Sequence, residues 1–241
     1  MLEYNLDLSF IEQKANLDSG ELIVLGGRPG MGKTLFIMNL LSNSSRKVCF
    51  ISLSESSEEI AYKKERMNIY PDSKKNYDTI CIDRPPLIEL LELIVTQKGN
   101  FHYFVIDDLR SLEEDVNPLF SEHKNYQLVL RHLKVLAKSL HTNIILVSSL
   151  DKRVEDGFPF RLYSSKEKYI DHLLIIHRPA YYHIQTNEFN DPIEYDDAFL
   201  YITKTKLLKG CDDFRLKFKY PLWYFPGRKY LDKNENNIVP F

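Results

Sequence analysis

The sequence predicts an α/β fold: a mostly parallel central sheet flanked by helices, with an antiparallel extension towards the C-terminus. Three observations predict it. Gly27-Arg28-Pro29-Gly30-Met31-Gly32-Lys33-Thr34 fits the phosphate-cradling pattern G-x-x-x-x-G-K-[ST] without a mismatch. Apolar runs of strand length alternate with helix-periodic segments as far as residue 150. Beyond residue 168 strand-like runs follow one another with no helix between them.

Each element has its own signal. Glu21 to Leu25 is a largely apolar run suited to a buried parallel strand, and Leu35 to Leu41 after the loop reads as a helix. Lys47 to Leu53 is a second strand and Glu58 to Ile69 a charged helix. Thr79 to Asp83 is a short third strand. Pro85-Pro86 then opens a helix in which Leu87, Leu90, Leu91 and Ile94 share one face. Phe101 to Asp108 and Asn143 to Ser148 are the fourth and fifth strands. Between them Tyr126, Val129, Leu130, Leu133, Leu136, Ala137 and Leu140 recur at three- and four-residue steps, the stripe of a long amphipathic helix. Asp151 to Lys168 lacks any period and reads as a long loop, a kind more often functional than idle in a compact domain. Tyr169–His177, Ala198–Thr205 and Phe214–Tyr220 supply the closing strands, while the Tyr181-Tyr182-His183 and Trp223-Tyr224-Phe225 clusters are expected to pack sheet edges.

The totals bound the function. A chain of 241 residues, 44% hydrophobic and 27% charged, suits one large globular domain, taken as residues 1–241. Its net charge of −2 gives no global nucleic-acid signature, so any such contact has to come from local patches. Cys49, Cys81 and Cys211 are widely spaced and odd in number, which argues against a disulfide framework or a zinc site. With no basic, apolar leader and no apolar run of membrane-spanning length, the expected compartment is the cytoplasm.

The chemistry follows from the loop. Its glycines let the backbone wrap a polyphosphate with N–H groups turned inward, and the helix that follows adds a favourable dipole end. Lys33 is placed to reach the outer phosphates of a nucleoside triphosphate and the Thr34 hydroxyl to ligate Mg²⁺. Such a site needs a second carboxylate at a strand end. Phe104-Val105-Ile106-Asp107-Asp108 supplies it, with Asp107 the residue expected on the metal.

The order of these motifs resembles the RecA-like ATPase domain of DnaB-type replicative DNA helicases. Arg28 to Thr34 is similar to that family's R-P-[SG]-M-G-K-T, narrower than the general phosphate loop. Phe50 to Leu53 resembles the start of its F-S-L-E-M, and Val105 to Leu109 its V-I-D-Y-L. Leu133 to Lys138 is similar to L-K-x-L-A-K, Val147 to Leu150 to L-S-Q-L, Asp171 to Arg178 to D-L-I-M-F-I-Y-R, and Ile202 to Lys206 to I-A-K-Q-R. The similarity runs in order from about Leu17 to Tyr220. It implies a RecA-like P-loop NTPase fold, with ATP and Mg²⁺ held by Gly27, Arg28, Pro29, Gly30, Met31, Gly32, Lys33, Thr34 and Asp107. It also implies a homo-oligomeric ring, up to a hexamer, that pulls single-stranded DNA.

The departures from the family pattern concern catalysis. The family's water-polarising glutamate falls at Ser54; Glu55 and Asp108 are the substitute bases, and Glu55 serves only if the strand has ended before it. Ser149 stands where the family has a phosphate-sensing glutamine. Lys206 matches the arginine finger donated across a subunit interface, with Lys204 as its companion lysine, and a lysine lacks the bidentate fork of arginine. Together these imply slow hydrolysis. The alternatives are a degenerate ATP-binding module that does not translocate, and a RecA-superfamily ATPase of the recombinase or clock type. The family's N-terminal helical domain is expected to be absent. The loop with Lys152, Arg153, Arg161, Lys166 and Lys168, and with Phe158, Phe160 and Tyr163 to stack on bases, is the candidate DNA contact.

Overall fold

A computed structural model describes residues 6–42, 44–67, 77–108, 112, 122–149, 166–186, 192–205 and 212–224. Nine strands form one sheet in the order β3-β2-β4-β5-β1-β6-β7-β8-β9. They are β1 (Leu22–Gly27), β2 (Val48–Ser52), β3 (Tyr77–Cys81), β4 (Tyr103–Asp107), β5 (Asn143–Ser149), β6 (His172–His177), β7 (Asp197–Lys204), β8 (Asp212–Lys219) and β9 (Leu222–Tyr224). From β3 to β6 all pairings are parallel. From β6 onward they are antiparallel, the predicted extension.

The parallel half is buried on both faces, and its strands are correspondingly apolar throughout. Alternation divides their side chains between two cores. Ile23, Leu25, Val105, Ile145, Leu174 and Ile176 face helices α1 (Leu8–Ala15) and α2 (Lys33–Ser42). Leu22, Val24, Phe104, Ile106, Ile144, Leu146 and Ile175 face α4 (Leu87–Thr96) and α5 (Glu122–Leu140). The predicted stripe of α5 is the buried one: Tyr126, Val129, Leu130, Leu133 and Ala137 are almost fully covered. Helix α3 (Ser57–Arg66) is mostly solvated. It is anchored by Ile60 and opened by a capping box in which Ser56 and Glu59 satisfy each other's backbone N–H groups.

Helix α1 was not among the predicted elements, although its signals are plain in retrospect. Asp7 caps it by accepting from the Phe10 N–H, Leu8, Ile11 and Ala15 fall on one face, and Asn16 ends it in the left-handed region at φ 51°. Its Glu12 carboxylate accepts from Arg46 at 2.9 and 3.1 Å and from the Tyr103 hydroxyl at 2.8 Å, tying the helix to the sheet. Beside this network, at the N-terminal ends of the parallel strands, lies a cavity of about 410 Å³ lined in part by Lys98, His102 and His141. The remaining differences are small. β3 starts and ends two residues before the predicted run, because the chain turns away at Arg84 with φ 41°. The last predicted strand is β8, and a further short antiparallel strand, β9, which was not predicted, follows it across Tyr220-Pro221.

Candidate functional site

The phosphate loop leaves the C-terminal end of β1 at Gly27 and enters α2 at Lys33. This is the end of a parallel sheet where ligands are bound in open α/β folds. The first turn of α2 has N–H groups with no intrahelical acceptor, and they open towards the loop. Gly30 and Gly32 have φ of 81° and 82°, the left-handed region that favours glycine. A Cβ on Gly30 would stand 2.4 Å from the Tyr181 hydroxyl, so the close approach of Tyr181 also demands glycine.

Lys33 folds back over the loop. Its ammonium donates to the Gly27 carbonyl at 3.0 Å and the Arg28 carbonyl at 3.3 Å, which centres a positive charge inside the concavity. Thr34 donates its hydroxyl to Asp107 Oδ2 at 2.6 Å. Asp107 ends β4 and is 6% exposed. Burial, above all, pushes its carboxyl up to about 6; the Asp108 and Glu55 charges push the same way, against the Thr34 hydrogen bond and the Lys33 charge. A carboxylate this costly to ionise, touching a threonine hydroxyl at a phosphate nest, suits a divalent cation. Thr34 and Asp107 fit Mg²⁺, and the loop around Lys33 fits the polyphosphate it would accompany.

Glu55 meets the condition set for it. β2 ends at Ser52, so strand alternation no longer governs the residue. The Ser52 hydroxyl accepts from the Glu55 N–H at 3.2 Å and donates to its carbonyl at 3.1 Å, closing a tight turn. Ser52 is itself the register partner of Asp107. One Glu55 carboxylate oxygen pairs with Lys63 of α3; the other is buried and has no partner among the described residues. Ser54, the position of the family's glutamate, is exposed. Asp108 is half-buried next to Asp107, and Ser149 lies beside Gly27 in the β1–β5 register.

Lys204 is elsewhere. It ends β7 opposite Leu173, and its ammonium donates to the Ile170 carbonyl at 2.5 Å, at the far end of the parallel strands from the loop. It therefore does not join the phosphate site of its own chain. Lys206 lies outside the described residues, as does the predicted DNA-contact loop up to residue 165; Lys166 and Lys168 belong to a short 3₁₀ turn, Lys166–Tyr169.

Sequence reasoning missed the segment that follows β6. The 3₁₀ turn Pro179–Tyr182 packs on the phosphate loop rather than on a sheet edge. The Arg28 guanidinium lies 4.8 Å from the Tyr182 ring centre, and Arg178, 4.0 Å from the Phe218 ring, donates its backbone N–H to Met31 Sδ at 3.2 Å. Burial first, then the Arg28 charge, hold His177 down at about 4, so a neutral imidazole stands beside the loop at neutral pH. Strand periodicity does not distinguish this turn from an edge contact; its local marks are Pro179 at its first position and the left-handed His183, at φ 59°, that ends it. Trp223, expected at a sheet edge, lies on the terminal strand β9 but is buried in the core against Phe36 and Phe218 behind the loop, and Phe225 of the same cluster lies outside the described residues. A separate acidic cluster, Glu194, Asp196 and Asp197, is matched by Lys217 and by a two-pronged contact from Arg215 at 2.9 and 2.7 Å.

Residues 8–69 match the DnaB-like helicase C-terminal domain, a span that contains the whole phosphate loop and the β2–α3 segment. A solved ATPase domain superposes with a TM-score of 0.72 over 91% of this chain and 90% of its own, at 17% identity. The fold is that of a DnaB-type, RecA-like C-terminal domain. Curated relatives point the same way. A probable replicative DNA helicase of Trieres chinensis is 23% identical over 233 residues, covering 80% of this chain and 50% of the relative. The replicative DNA helicase DnaB of Mycoplasma pneumoniae is 29% identical over 208 residues, covering 66% and 43%. The chain thus spans half or less of the length of these relatives. A KaiC-like protein from Pyrococcus horikoshii OT3 shares the fold more distantly, with a TM-score of 0.60 at 16% identity over 86% of this chain and 89% of its own. No helix among the described residues is long and apolar enough to cross a membrane.

Proposed function

We propose that this chain is an ATP-driven DNA helicase motor domain that binds Mg–ATP at the phosphate loop, hydrolyses it slowly and acts on single-stranded DNA as a homo-oligomeric ring. The observation that carries the reading is the 2.6 Å contact between Thr34 and the buried Asp107, made at the mouth of a loop whose lysine is already turned inward. Mg²⁺, when bound, would screen the phosphate charge and orient the outer phosphates. Thr34 and Asp107 hold it; Gly27 to Gly32 wrap the phosphates, and Lys33 exchanges its two carbonyl partners for phosphate oxygens. Glu55 is the general base, with Asp108 as the nearer rival. Lys204 and Lys206 belong to a subunit interface, where they act on a neighbour's nucleotide.

Slow turnover is part of the proposal. The exposed Ser54 cannot polarise water, and one lysine, Lys206, replaces a bidentate finger. The test is ATP binding and phosphate release with and without single-stranded oligonucleotide. Lys33→Ala removes charge-assisted hydrogen bonds worth about 1.5–3 kcal/mol, so ATP affinity falls about ten- to a hundredfold. Hydrolysis by the wild-type chain rises with oligonucleotide. Tight ATP binding that oligonucleotide leaves unaccelerated would replace this reading with the non-translocating ATP-binding module; absence of ATP binding at millimolar concentration would end both.

A further inference from the structure

The pairing of Glu55 with Lys63 is used by nothing described so far. Glu55 stands between β2 and α3, and its backbone is fixed on both sides. The Ser52 turn holds it from behind, and the Ser56–Glu59 capping box starts the helix directly after it. Lys63 lies eight residues further on, in the second turn of α3, and its ammonium takes Glu55 Oε1. The stem is steered by the helix, whose orientation is set by the buried Ile60. Both partners are three-quarters covered, with side chains 25% exposed.

What remains is the second oxygen. Glu55 Oε2 is buried, has no hydrogen-bond partner among the described residues, and belongs to a carboxylate whose charge is felt at Asp107. A buried carboxylate oxygen left without a hydrogen bond is costly, because it has given up water for nothing. It is tolerated where a partner arrives, and the site beside it is the one read here as taking Mg–ATP and its attacking water. We propose that Lys63 is a positioning residue for hydrolysis: by clamping Oε1 it aims Oε2 at the water that attacks the γ-phosphate.

In that step the water oxygen bonds to the γ phosphorus and one water proton passes to Oε2. The bond to the β–γ bridging oxygen breaks, and its electron pair leaves with ADP. Lys63 touches neither water nor phosphate. It fixes which of the two equivalent oxygens faces the reaction, and it offsets one of three carboxylate charges, Glu55, Asp107 and Asp108, gathered at the ends of β2 and β4. The departure at Ser54 gives the arrangement its sense. Glu55 stands beyond the end of β2, where no strand pleat aims it, so its direction is supplied from α3.

This inference rests on the ATPase reading, and the experiment separates the two. ATP affinity, kcat and KM are measured for the wild type and for Lys63→Met, Lys63→Arg, Glu55→Gln and the Lys63→Met/Glu55→Gln double variant, with thermal melts to verify folding. Lys63→Met is expected to lower kcat about tenfold, short of the roughly 10²- to 10⁴-fold effect of losing a general base outright. ATP affinity and KM stay within about twofold of wild type. Lys63→Arg restores at least a third of kcat, and Lys63→Met has no further effect once Glu55 is Gln. An unchanged kcat in Lys63→Met, a loss that appears in KM, or an additive loss in the double variant would overturn the assignment. So would a wild-type chain that binds ATP but does not hydrolyse it, which leaves the nucleotide site intact. A wild type that binds no ATP overturns the parent reading as well. Should Lys63→Met melt far below the wild type, Lys63→Arg against Lys63→Gln carries the same comparison.

Discussion

Replacing Asp107 by asparagine should stabilise the nucleotide-free protein at neutral pH while removing its hold on the metal. The side chain is nearly fully buried, and its carboxyl rises from 3.8 to about 6 on folding. Between those values the folded state binds a proton that the unfolded state has released. The stability contributed by this group is therefore complete below pH 3.8 and is lost as pH rises through about 6. A shift of that size corresponds to about 3 kcal/mol. Asparagine keeps an acceptor for the Thr34 hydroxyl but never ionises, so it escapes the cost. For a chain of this length the difference amounts to about 6–12 °C in Tm. The assay is a set of melting curves from pH 4 to 7.5 in chelator, wild type against Asp107→Asn. The two should coincide at the acid end and separate steadily towards neutrality, with the variant higher. Adding Mg–ATP at pH 7.5 should raise the wild type and leave Asp107→Asn nearly unmoved. Curves that run parallel across the pH range would refute the argument, because they would mean that Asp107 ionises freely where it stands.

Two further outcomes follow from the packing of the loop. Gly30→Ala should weaken ATP binding for two separable reasons, a left-handed backbone costing about 1–2 kcal/mol and a Cβ placed 2.4 Å from the Tyr181 hydroxyl. Adding Tyr181→Ala relieves only the second, so partial recovery in nucleotide titration is expected, and full recovery or none would contradict this division. Trp223→Ala should destabilise the fold by about 3–5 kcal/mol in denaturant unfolding. It should also loosen ATP binding, since the ring backs Gly32 and Phe36 and the Trp223 carbonyl accepts from Asn39 of α2 at 3.1 Å; unchanged unfolding would show that β9 contributes nothing to the core.

How far the molecule could be read in advance depended on whether a feature was local. The phosphate loop carries its whole geometry in eight residues, and buried parallel strands such as Leu22–Gly27 and Tyr103–Asp107 declare themselves as unbroken apolar runs. The end of β2 was open because one residue decides it: only the Ser52 turn tells that Glu55 is free of the pleat. Tyr181 and Tyr182 were misplaced because their partners, Gly30, Pro29 and Arg28, lie about 150 positions away, and sequence spacing says nothing of such contacts. Helix α1 was overlooked for a different reason. At eight residues its amphipathic stripe is short, and its caps, Asp7 and Asn16, are more informative than its period. The Lys63 contact falls between these cases: the residue is visible on a charged helix, but its direction is not.

The chain that leaves β6 runs directly across the phosphate loop, with the Arg178 amide on Met31 and the Tyr181 ring against Gly30, before it enters the antiparallel strands. The two halves of the sheet therefore meet at the phosphate loop as well as along the β1–β6 ladder. Any widening of the loop around a triphosphate has to push this crossing strap outward.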